Sequence, residues 1–165
     1  MFLPVCGSPI PAGNLAGGGP ESVAGFFCEP DMNFPSILTP WRWQHFSPDE
    51  LRCKCGCGKV DMAPDFLDRL ERLRVAFARP MPISSGFRCP SHNLAVSATG
   101  ATGPHTTGHA VDVRVSRKDA YDLAALAMRL NFTGIGFAQK GAARFIHLDD
   151  LPDAPGQPRP TIWSY

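Results

Sequence analysis

Apolar positions along the middle of the chain fall into two rhythms, one helical and one alternating. Ser47-Pro48-Asp49-Glu50 has the form of a capping box, with Ser at the N-cap, Pro at the first helical position and Glu at the third. The helix it opens is short, because Gly56 and Gly58 follow soon. A longer helix is predicted from Pro64, with Phe66, Leu70, Leu73 and Phe77 on one stripe and Asp68, Arg69 and Arg72 outside it, ending at Pro80 and Pro82. A third is predicted after Ser116, carrying Ala120, Leu123, Ala124, Ala127 and Leu130 inward and stopping at Asn131. Three segments alternate as strands do. In 109–115, Val111, Val113 and Val115 share one face, and Ala110, Asp112 and Arg114 the other. In 145–149, Ile146 and Leu148 oppose Phe145, His147 and Asp149. In 133–137, Ile135 and Phe137 can pack while Gly134 and Gly136 leave the second face bare. Each strand has a greasy side and a side that is polar or empty, and chemistry can sit on the latter.

The flanks differ from this middle. Residues 1–44 are rich in Gly and Pro, and Gly17-Gly18-Gly19-Pro20 reads as a joint. Phe26, Phe27, Phe34, Ile37 and Leu38 mark this stretch as an irregular arm that packs on something. Residues 151–165 read as a Pro-rich, irregular tail. The predicted organisation is therefore an arm (1–44), one domain (45–150) and a tail, which suits 165 residues.

Composition narrows the function classes. A net charge of +1 gives no field for nucleic acid or an anionic membrane surface. No apolar run approaches the roughly 20 residues of a membrane span. The first residues lack a basic region, and Pro4, Pro9 and Pro11 interrupt the short apolar stretch, so they do not read as a secretory signal. Six cysteines are many for this length. Three form Cys53-Lys-Cys55-Gly-Cys57, and this C-x-C-x-C spacing fits a zinc knuckle poorly, since that motif wants C-x-x-C pairs. One or two disulfides, or free buried thiols, are expected instead.

The chemistry concentrates in His105-Thr-Thr-Gly-His-Ala-Val-Asp112. A histidine on the loop entering a strand and a carboxylate within that strand can reach one ion. Gly108 and Ala110 share the face of Asp112 and leave room for a substrate backbone. His147 supplies a third donor from another strand. Two His and one carboxylate leave the fourth position of a tetrahedral zinc to water, as in catalytic sites. His109 has the opposite strand parity from Asp112 and is not expected to be a fourth ligand.

Pro104–Val113 resembles the S-x-H-x-x-G-x-A-x-D signature of the M15 peptidases, the D-alanyl-D-alanine carboxypeptidase and endolysin group. Ser84-Ser-Gly-Phe-Arg-Cys-Pro-Ser-His-Asn93 is similar to that family's S-G-Y-R-x-P-x-x-N segment, and Phe145–Asp149 to its closing strand. Phe46–Cys57 looks like the opening of its phage and prophage branch. The resemblance implies an α+β fold, with helices packed on a small antiparallel sheet, shared with hedgehog-type domains. It implies a zinc peptidase domain at 45–150, with zinc at His105, Asp112 and His147, and a peptidoglycan stem or cross-link peptide as substrate. It implies that Arg88 contacts the substrate, and with zinc it is the expected catalytic stabiliser of the oxyanion; Ser85 and His109 join it as expected contacts. It also implies that Cys89 lies near the Cys53–Cys57 cluster.

One position departs from the pattern. Many relatives place an acid three residues before the last ligand as general base, whereas this chain has Arg144, which cannot accept a proton. Asp149 shares the face of His147 and is the expected substitute, either as base or as a residue orienting an imidazole N–H. Asp150 points the other way. A competing reading makes the fold a virion structural or docking module stapled by zinc, with 1–44 as the arm that engages phage tail or other virion proteins. Such a staple would close the metal with a fourth protein ligand. In either case the expected setting is synthesis in a bacterial cytoplasm and action at the cell wall, through phage-assisted release or carriage in a particle.

Overall fold

The computed structural model describes residues 41–165. The expected arm, with its apolar residues, Cys6 and Cys28, lies outside the described residues apart from its last four positions.

Helix α1 (Pro48–Leu51) starts with the capping box read from sequence. The Glu50 N–H donates to Ser47 Oγ, and the Ser47 N–H donates to Glu50 Oε2 at 3.0 Å. Helix α2 (Pro64–Phe77) buries Phe66, Leu67, Leu70, Leu73 and Phe77. It ends at Ala78 in the left-handed region, φ 53°, before either proline is reached. Helix α3 (Pro90–Val96) follows the Ser-Gly-Phe-Arg-Cys segment, and α4 (Arg117–Arg129) buries Ala120, Leu123, Ala124 and Ala127. Asn131 stops α4 with φ 60°, a conformation asparagine tolerates better than most residues.

The strands are β1 (Ile83–Ser85), β2 (Ala110–Val113), β3 (Gly134–Ala138), β4 (Phe145–Asp149) and β5 (Thr161–Ser164). They form one sheet in the order β1-β2-β4-β3-β5. Val111, Val113, Ile135, Ile146 and Leu148 project from one face into a core shared with α2 and α4. Burying each such side chain is worth about 1.5–3 kcal/mol. The fold is α+β, with helices on one face of the sheet and the polar row of β2 and β4 on the other.

Two details depart from the sequence reading. The sheet is mixed, because β5 pairs parallel with β3 while the remaining pairings are antiparallel. The chain leaves β4, passes beyond β3 and returns along its far edge, so β5 must run against β4 and therefore with β3. The 151–165 segment is thus irregular only until Pro160, after which it supplies a strand of the sheet.

Among the described residues, no helix is long and apolar enough to cross a membrane.

Candidate metal centre

Register places the chemistry in one row across the sheet. Ser85 lies opposite Asp112, Asp112 opposite His147, His147 opposite Gly136, and Gly136 opposite Trp163. Residues facing one another across a ladder point to the same side. His105 reaches this row from the 3₁₀ turn Pro104–Thr106 that precedes β2.

The three donors expected from sequence converge. His105 Nε2 is 3.2 Å from Asp112 Oδ1, and His147 Nδ1 is 2.9 Å from the same oxygen. All three residues are buried. Donors about 2.0–2.1 Å from a tetrahedral zinc stand roughly 3.3 Å apart, so these spacings fit one ion.

The proton inventory gives the same answer. His105 Nδ1 is 2.7 Å from the Gly86 carbonyl, which can only accept, so the ring proton sits on Nδ1 and the Nε2 lone pair faces Asp112. His147 Nε2 is 3.2 Å from Asp149 Oδ2, so a proton there leaves the Nδ1 lone pair facing the same oxygen. In that neutral tautomer two lone pairs and a carboxylate oxygen meet at one point with no hydrogen between them, an arrangement that a divalent cation satisfies. Burial pushes the His105 pKa down and keeps its ring neutral. Burial acts the same way on His147, but the bonds to Asp112 and Asp149 outweigh it and raise its pKa. At His147 a proton and a cation therefore compete for one place. Burial would raise the pKa of Asp112, but its contacts with both imidazoles hold it well below the usual carboxylate range.

Further residues hold these donors in place. Arg88 donates through Nη2 to Asp112 Oδ2 at 2.7 Å and through Nε to Ser85 Oγ at 2.8 Å. Its Nη1 reaches Asn93 Oδ1 only at 3.5 Å. Asn93, fully buried at the heart of α3, donates to Thr99 Oγ1 and to the Gly100 carbonyl, fixing the loop that walls one side of the cleft. Ser85 is thus placed behind Arg88 rather than in the cleft.

Asp149 has the parity expected of it but a different setting. It has no solvent exposure. Its Oδ1 accepts from Arg159 Nε at 2.8 Å and its Oδ2 from Arg159 Nη2 at 2.7 Å, a two-pronged ion pair. Burial alone would raise its pKa, yet His147 and Arg159 lower it. A carboxylate sealed in this way orients His147. It does not face the cleft, and it is not placed to take a proton from water. His109 likewise stands apart from the cleft. Its Nδ1 is 2.9 Å from Asp150 Oδ1, and its ring packs edge-on against Phe66. Arg144 sits at the turn before β4, where Nε donates to the Gly141 carbonyl.

The sequence reading missed Arg159 and Trp163, both in the segment read as a tail. The Trp163 ring lies 5.2 Å from that of His147. Gly136 makes this possible, since a Cβ there would stand 2.6 Å from the Trp163 indole, and one at Gly134 would stand 2.2 Å from Asp149 Oδ2. The face that looked bare is occupied by these two side chains, and alternating glycines in a strand are the signal of such close approach.

The metal point opens into a cleft of about 640 Å³, lined by Thr99 and Ala98 on one side and by Arg159, Trp163 and Tyr165 on another. Among the described residues lining it, Asp112 is the one carboxylate.

A family model described as Peptidase M15 matches residues 44–149. No curated protein matches the chain at a significant level.

Proposed function

The chain belongs to the M15 peptidase family, a family of metallopeptidases, and from that premise we propose that it is a zinc enzyme hydrolysing peptide bonds in bacterial peptidoglycan. The observation that carries this reading is the meeting of His105 Nε2, Asp112 Oδ1 and His147 Nδ1 at the floor of an open cleft, with the Gly86 carbonyl and Asp149 placed to accept from the other nitrogen of each ring. A structural staple would close that point with a fourth protein donor, and three donors converge there among the described residues.

Zinc held by these residues would supply Lewis acidity, making water a nucleophile near neutral pH and polarising the scissile carbonyl. The protein's own part is positioning. The Gly86 carbonyl fixes the tautomer of His105, and Asp149, clamped by Arg159, fixes that of His147. Arg88 holds the outer oxygen of Asp112 and keeps Nη1, whose contact with Asn93 is long, as a donor for a substrate carboxylate or carbonyl. A cationic anchor suits stem peptides, which carry free carboxylates. Trp163 covers one side of His147 and limits water access. With Arg144 at the turn and Asp149 sealed, no separate carboxylate base is assigned among the described residues. The likeness of Phe46–Cys57 to phage and prophage relatives supports a phage-borne wall hydrolase.

The test is Asp112→Ala together with His105→Ala. Each should lose the zinc of this site and hydrolysis of a cross-linked muropeptide together. Full activity in either variant would sink the assignment.

A further inference from the structure

Cys53, Cys55, Cys57 and Cys89 play no part in the cleft, yet their sulfurs gather within 4.8 Å of one another. All four are unbridged. Three of them make a nearly regular triangle: Cys53 to Cys55 is 3.4 Å, Cys55 to Cys89 is 3.6 Å, and Cys53 to Cys89 is 3.7 Å. Zinc–thiolate bonds of about 2.3 Å put the sulfurs of a tetrahedron roughly 3.8 Å apart. The observed edges therefore match one ion inside four sulfurs and leave no room for a larger cluster. We propose that these cysteines bind a second, structural zinc ion, separate from the cleft.

Local structure explains how a C-x-C-x-C run achieves this. Gly56 and Gly58 both have positive φ, 85° and 76°, and the Cys53 N–H donates to the Lys59 carbonyl at 2.8 Å. The segment coils back on itself, so Cys53, Cys55 and Cys57 point to one centre without the two-residue spacer of ordinary zinc knuckles. Cys89 arrives as the N-cap of α3. The donors around the sulfurs suit thiolates. The Cys89 N–H donates to Cys53 Sγ at 3.3 Å, His92 Nδ1 lies 3.2 Å from the same sulfur, and the Ser91 hydroxyl lies 3.3 Å from Cys89 Sγ. Such contacts offset the negative charge of a tetrathiolate site. An all-thiolate tetrahedral set selects zinc over hard cations, and four protein ligands leave no open position, which marks a structural site.

The position of the site gives it a task. Cys89 follows Arg88, the residue that holds Asp112, and the Arg88 N–H donates to the His105 carbonyl. The neighbouring Phe87 N–H donates to the Leu51 carbonyl. An ion joining Cys89 to the loop after α1 would fix the segment carrying Arg88 from its outer side.

The test is the zinc content of the full-length protein purified under reducing conditions, with two variants that separate the sites. Two zinc ions per chain are expected in the parent. Cys55→Ser/Cys57→Ser changes two exposed residues and should leave one zinc and a lower melting temperature. His105→Ala should also leave one zinc, but that ion should be released by a mercurial thiol reagent and be absent from the cysteine variant. Mercurial titration of the parent, followed with a metallochromic indicator, gives the same answer without any variant and should free one ion. A parent with a single zinc that mercurials do not release, iron in place of zinc, or disulfides among these four cysteines in freshly purified protein would overturn the proposal. Loss of the cleft ion alone would instead count against the catalytic assignment.

Discussion

Replacing Asp149 by Asn keeps the side chain's shape and removes its charge, which isolates the part played by the buried Asp149–Arg159 pair. The Arg159 side chain is 7% exposed and that of Asp149 0%, so neither charge has water to fall back on. Removing one partner of a buried pair costs about 3–5 kcal/mol. The amide still offers one oxygen to Arg159 but turns its NH₂ toward the other guanidinium N–H, so a cost near 3 kcal/mol is expected. The change also reaches the metal point, because the carboxylate that accepts from His147 Nε2 is gone. Loss of such an orienting partner lowers metal affinity about 10–100-fold. Urea unfolding of parent and variant in excess chelator would read the first effect, and competition against a chromophoric chelator the second. Asp149→Leu combined with Arg159→Met should recover most of the stability, since apolar replacement of a buried ion pair is often neutral or better. It should not recover zinc affinity. An Asp149→Asn protein that unfolds within about 0.5 kcal/mol of the parent and binds zinc equally well would refute the reasoning.

Other perturbations probe the same wall. Gly136→Ala places a Cβ against the Trp163 indole and should cost about 1–3 kcal/mol, with a change in Trp fluorescence and weaker substrate binding. Arg88→Lys should weaken zinc binding by about 10–100-fold as well as slow hydrolysis, because one ammonium cannot serve Asp112, Ser85 and Asn93 together. Unchanged zinc affinity would confine Arg88 to substrate contact. His109→Ala should leave hydrolysis unchanged and lower stability by about 1 kcal/mol through loss of the Asp150 contact, and reduced turnover at full stability would return His109 to the cleft.

Strand parity made much of the site readable. His147 and Asp149 share a face because alternate residues in a strand do so, Asp112 joins them by lying opposite His147 in the register, and the three donors converge as expected. Helices α2 and α4 were readable from apolar stripes that pack as written. What escaped was non-local. Strand β5 is a four-residue element behind a Pro-rich stretch, and its parallel pairing with β3 has no local signature. With it went Arg159, whose pairing favours the orienting role over the proton acceptor, the two roles expected of Asp149. The gathering of the cysteine run with the distant Cys89 was implied by the family resemblance alone, because spacing rules say nothing of the positive φ angles of Gly56 and Gly58 or of a partner 32 residues beyond Cys57.

The most direct measurement is product analysis of purified peptidoglycan incubated with the zinc-loaded full-length protein, read by mass spectrometry. The account expects muropeptides with newly freed amino and carboxyl termini at one peptide bond, formed by the parent and not by His147→Ala. Intact peptidoglycan, with zinc verified at His105, Asp112 and His147, would contradict it.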